Sequence, residues 1–151
     1  MTTTYQLRVQ DWLHQCFGPE IAKDKLERGD RLLEEVLELL QSGGYAQERI
    51  HLISSYVFGR PAGDPFQEVG GVMNTLAAYC YAHDLDMVDA AEAEYDRIVQ
   101  PEIIEKIRAK QKAKPKGSAT PNSAQEEFDR VSFYVAENMA RLEELRKVLD
   151  K

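Results

Sequence analysis

Residues 25–44 read KLERGDRLLEEVLELLQSGG. Leu32, Leu33, Val36, Leu39 and Leu40 return at three- and four-residue intervals, and at 100° per residue they share one arc of a helix. Ser42-Gly43-Gly44 then supplies a glycine stop. Gly29 lies inside the run, so the helix either passes through it or restarts with Asp30 as its cap. Nothing here alternates with the period of two that a half-buried strand requires. The stretch sets an all-α expectation.

The rest of the chain follows it. Val9, Trp12, Leu13 and Cys16 form an i, i+3, i+4, i+7 set, and Gly18-Pro19 breaks the chain after them. Between Ala46 and Phe58, Ile50, Ile53 and Val57 have helical spacing. The segment is also rich in β-branched and aromatic residues, so a short helix is favoured over a strand. GRPAGDP (59–65) reads as a loop. Residues 66–83 are the least polar stretch, with Val69, Val72, Met73, Leu76, Ala77, Tyr79 and Cys80, and are expected at the centre of a bundle. Asp84 or Asp86 caps the next helix, which runs to about Val99, and Pro101 suits the first turn of another over 102–112. KPKGSATPN (114–122) reads as a linker. Beyond it Phe128, Val131, Val135, Asn138, Leu142, Leu145 and Leu149 form a heptad seam. This last helix either packs on its own domain or pairs with another helix. The expected architecture is an antiparallel helix bundle over 1–113, a linker over 114–122 and an extra C-terminal amphipathic helix over 123–151.

The 151 residues are 43% hydrophobic and 30% charged, a composition that folds. No apolar run is long enough to span a membrane, so no membrane partner is expected. Residues 1–10 lack a basic stretch followed by an apolar one, and two isolated cysteines suit a reducing compartment, so a cytoplasmic protein is expected. The net charge of -7 is unevenly spread. Residues 1–105 carry 8 basic and 19 acidic side chains, whereas KIRAKQKAKPK (106–116) carries 6 basic and no acidic ones. An acidic body argues against binding duplex nucleic acid, which needs a broad basic face.

Glu35 falls at the edge of the apolar arc and Glu38, one turn on, lies about 60° further round, and the two can converge on one point. Two carboxylates so placed repel unless a cation sits between them, and Mg²⁺ takes hard oxygen donors while keeping sites open for water and phosphate. Taken alone, the pair also describes a solvated helix face, and Glu34 points further from the core. Glu68 opens the least polar helix in line with Val72, Thr75 and Tyr79. A carboxylate on such an arc wants a partner if buried, or sits in an exposed first turn with the helix dipole.

The segment Lys25–Leu40, followed by Glu68-Val-Gly-Gly-Val-Met-Asn-Thr-Leu, resembles the MazG-like all-α nucleoside triphosphate pyrophosphohydrolases, a superfamily that includes dimeric dUTPases and dCTP pyrophosphatases. The resemblance covers roughly residues 8–115, with Asp84 to Arg97 like the family's following helix. It implies an ExxE pair and a later ExxD pair that hold Mg²⁺, with Mn²⁺ as a substitute, against the phosphates of a nucleoside triphosphate. Glu35 and Glu38 match the first pair and Glu68 the Glu of the second. Gly71 stands where the family has Asp, so another acid would complete the site: Glu92, Glu94 or Asp96, with Glu92 and Asp96 preferred. The implied reaction yields a nucleoside monophosphate and pyrophosphate, with Glu38 or Glu35 acting on water. The implied assembly is a homodimer or homotetramer.

Lys106, Arg108 and Lys110 are candidate phosphate ligands, or a solvated helix end whose cations suit the dipole. Trp12 is a candidate base-stacking residue, though a core or interface role suits it better. His14, His51 and His83 are scattered without metal spacing, and no Walker, GxGxxG or GxSxG motif occurs. Gly71 also supports a different function: a catalytically inactive MazG-like module for helical association or nucleotide sensing.

Overall fold

In the computed structural model, which describes residues 4–114 and 124–149, the chain is all-helical. The seven helices are α1 (Tyr5–Ala22), α2 (Lys25–Ser42), α3 (Gln47–Phe58), α4 (Pro65–Ala82), α5 (Met87–Ile98), α6 (Pro101–Ala113) and α7 (Ala124–Leu149). The expected 114–122 linker lies outside the described residues except for Lys114. The chain divides into two compact units, Met1–Ile104 and Glu105–Lys151, so the division falls within α6.

Aspartates set three helix starts. Asp24 Oδ1 accepts the amides of Leu26 (2.9 Å) and Glu27 (3.1 Å). Asp64 accepts those of Phe66 and Gln67 (both 3.1 Å), with Pro65 in the first turn. Asp86 accepts those of Val88 (2.8 Å) and Asp89 (2.9 Å). Each satisfies amides that a helix start leaves without partners. The α2 helix therefore runs through Gly29, and Asp30 caps nothing. Its far end closes as a Schellman motif: Gly44, at φ +75°, donates to Gln41 O, and Tyr45 donates to Leu40 O, both at 3.0 Å. Asp84 takes the same left-handed place after α4, with φ +54°. Gly18 interrupts α1 at φ 74° and ψ 170°, a region open essentially to glycine alone, and Pro19 begins a final turn. Residues 47–58 are helical, which settles the choice between helix and strand.

In the first unit, aromatic side chains pin helices to one another's backbone. Tyr5 donates to Ala91 O (3.3 Å), Trp12 Nε1 to Ile98 O (3.1 Å) and Tyr95 to Arg8 O (3.3 Å), so α1 is tied to α5 along its length. The Arg8 guanidinium lies 5.3 Å from the Tyr5 ring and 4.6 Å from the Tyr95 ring, and it pairs with Glu92. Arg28 of α2 stacks over Phe17 of α1 at 5.2 Å. Tyr79 of α4 stacks on His83 and donates to Leu39 O at 3.3 Å, tying α4 to the end of α2.

Apolar burial is thin. Among the described residues Cys16, Cys80 and Ile104 are the buried apolar side chains. The α4 helix differs from the central position expected of it: Phe66 is 90% and Tyr81 86% exposed, and Val69, Val72 and Met73 are also exposed. Leu32, Leu33 and Val36 on α2, and Leu52, Ile53, Tyr56, Val57 and Phe58 on α3, are exposed too. The helical period shows which arc is apolar, but the first unit itself leaves those arcs open.

Gly43 marks a tight joint between α2 and α4. A Cβ there would stand 2.2 Å from Tyr79 Oη and 3.5 Å from Cζ. Gly43→Ala is expected to cost about 1–2 kcal/mol, the range of a small overpacking. Combined with Tyr79→Phe, which removes the offending oxygen, the alanine is expected to cost less than it does alone, the 3.3 Å approach to His83 Cε1 remaining. Denaturant unfolding of the two single variants and the double variant measures that coupling.

Candidate functional site

The residues around Glu35 come from two helices. On α2, Arg31 bonds Glu27 through Nε at 3.3 Å and pairs with Glu34, so those two acids are matched by a cation. On α5, Arg97 grips Glu94 with two bonds, at 2.6 and 2.7 Å, which holds the Glu94 carboxyl below its usual range. Glu35 is in the opposite condition. Although the residue is exposed, partial desolvation pushes its pKa up, and the charges of Glu38, Glu34 and Glu94 push it further, with Arg31 opposing. Arg97 is in turn influenced by Glu35. The first-unit site is thus a carboxylate on α2, crowded by acids of its own helix and by one from α5.

Glu92 faces elsewhere. Its carboxylate pairs with Arg8 of α1, which holds its pKa down. Around α5, Asp96 lies about 40° from Glu92 and Glu94 about 200° from it, so the preferred pair shares one side and Glu94 the other. Glu94, named among the three candidates but not preferred, is the α5 acid whose charge reaches Glu35. Its spacing to Arg97 is the ordinary signature of an exposed helix pair, and gives no sign of a neighbour on α2.

Glu68 is in the exposed first turn of α4. A Cβ at Gly63 would lie 2.2 Å from its Oε1, so its carboxylate rests over the Gly63 backbone in a space that only glycine leaves open. A Cβ at Gly71 would stand 4.0 Å from Glu68 Oε2, so an aspartate there would set its carboxylate beside that of Glu68. The Trp12 indole N–H is engaged by Ile98 O, and the ring meets Phe17 edge-on at 6.0 Å, which is a packing role. Lys106 and Lys110 are exposed on α6, and Arg108 donates to Glu105 at 2.6 Å; all three belong to the second unit.

The all-oxygen donors at Glu35 and Glu38 are the kind Mg²⁺ takes, and like-charge crowding is what a divalent cation relieves. Among the described residues, however, no three His, Cys, Asp or Glu side chains are grouped closely enough to hold an ion. The fit is therefore in donor type and charge. Comparison with family models, with curated proteins and with solved structures finds no match to the chain.

Because its pKa is raised, folded Glu35 keeps its proton to a higher pH than the unfolded chain does, so stability falls as pH rises through that window. Glu35→Gln removes the charge. It is expected to raise Tm at pH 7 by roughly 1–3 °C and to leave it unchanged near pH 3, where the carboxyl is protonated in both states. Thermal unfolding at the two pH values checks this.

Proposed function

We propose that the chain is a Mg²⁺-dependent nucleoside triphosphate pyrophosphohydrolase of the MazG-like type, with a MazG-type helix bundle. The observation that carries the reading is Glu35, a carboxylate in the ExxE motif whose surroundings oppose its ionisation. Glu35 and Glu38 would hold the ion, with Mn²⁺ as a substitute, and Glu68 and Glu94 are the further donors. Held there, Mg²⁺ would supply neutralisation of phosphate charge and a more nucleophilic water. Glu38 orients that water and accepts its proton as the oxygen attacks the α phosphorus, and the bond to the bridging oxygen breaks to release pyrophosphate. Arg97 balances Glu94 on the α5 side. Assembly as a homodimer or homotetramer would cover the exposed apolar residues of α2, α3 and α4.

Gly71 favours a second reading, an inactive module for association or nucleotide sensing, because it removes one carboxylate from beside Glu68. Pyrophosphate release from a panel of canonical and modified nucleoside triphosphates with Mg²⁺ separates the two. Turnover is expected from the unmodified chain, with a loss of about 100-fold or more in Glu38→Gln and a lower Mg²⁺ requirement in Gly71→Asp. Silence across the panel with nucleotide binding retained would establish the sensor. Silence without binding would establish the association module.

A further inference from the structure

The seam of α7 gives positions a to Phe128, Val135, Leu142 and Leu149, and positions d to Val131, Asn138 and Leu145. Phe128, Val131, Val135, Leu142 and Leu145 are each more than half exposed. A repeat of 3.5 residues per turn is matched by another helix winding around it; a globular surface is met by a 3.6-residue arc. The apolar seam residues at roughly 60–120 Å² each would bury on the order of 1,000 Å² between two helices, the lower bound for a stable interface.

The flanking charges choose the orientation. Position g holds Glu127, Tyr134, Arg141 and Val148, and position e holds Ser132, Met139 and Arg146. A parallel pair would set Arg141 against Arg146 of the second copy, twice, with both arginines exposed and like-charged. An antiparallel pair with matched ends removes that repulsion. Phe128 then packs on Leu145 of the second copy, Val131 on Leu142 and Val135 on Asn138. Arg141 comes opposite the Tyr134 ring, an arrangement that suits a cation–π contact.

We propose that α7 is a self-association element that pairs antiparallel with α7 of a second copy of this chain. The proposal is independent of the catalytic reading. Its test is the full-length double variant Val131→Cys/Leu142→Cys under mild oxidation by oxidised glutathione. Both positions are exposed, so the fold should tolerate the changes, and Cys16 and Cys80 are buried, so the unmodified chain is the control. Within one helix the two positions are about 16 Å apart, too far for a disulfide. Trypsin releases residues 131–141 and 142–146 as separate peptides. The expected result is a disulfide-linked dimer in which 131–141 is joined to 142–146. Like peptides joined to like would overturn the antiparallel pairing. Linkage no greater than that of the unmodified chain would overturn the pairing itself.

Discussion

An amphipathic helix is stable in water only when something covers its apolar face, and this chain meets that constraint incompletely. Its first unit is held by directional contacts more than by burial. Tyr5, Trp12, Tyr79 and Tyr95 each reach from one helix to a backbone carbonyl on another. Such bonds contribute on the order of 1 kcal/mol each. They fix the axial position and rotation of each helix, but cannot replace the missing apolar burial. The exposed residues of α2, α3 and α4 are therefore the main unspent source of stability, and covering them with another chain would add more than any contact within the unit.

Helix boundaries rest on local chemistry, of which the Asp86 cap and the glycine stop after Ser42 were legible while the Asp24 and Asp64 caps were not singled out. Asp24, Asp64 and Asp86 sit where a side-chain oxygen can reach two amides, and Gly44 sits where φ must be positive. Gly18 with Pro19 forces a break whatever the neighbours do. Residues 47–58 were harder, since Ile50, Ile53 and Val57 fit a helical spacing while their β-branched and aromatic neighbours fit a strand. The position of α4 was not legible at all. Periodicity orients an apolar arc but does not say what lies against it, and Phe66 and Tyr81 show how far a low-polarity helix can stay exposed.

The candidate site divides along the same line. Glu35 and Glu38 share a face through helix geometry alone, so their pairing can be read from sequence. Which α5 acid reaches them depends on the rotation of α5, and that is a tertiary fact. Tyr5, Arg8 and Trp12 set it by engaging Ala91, Glu92 and Ile98. Once Glu92 turns to α1, a residue two positions on must face nearly the opposite way, and Glu94 is brought toward α2.

The carboxylates of the first unit also sort by what answers their charge. Asp24, Asp64 and Asp86 accept backbone amides, and Glu27, Glu34, Glu92 and Glu94 are matched by arginines. Each of these arrangements is explained by the fold alone. Glu35 is not explained that way, because partial desolvation and three neighbouring acids oppose its ionisation. A helix selected only for solubility at this position would gain from a lysine or a glutamine there. Carboxylates held against ionisation are frequent at functional sites, which is in keeping with the role proposed for Glu35. The nearby acids that raise the Glu35 pKa are also the kind of neighbours a divalent cation would require.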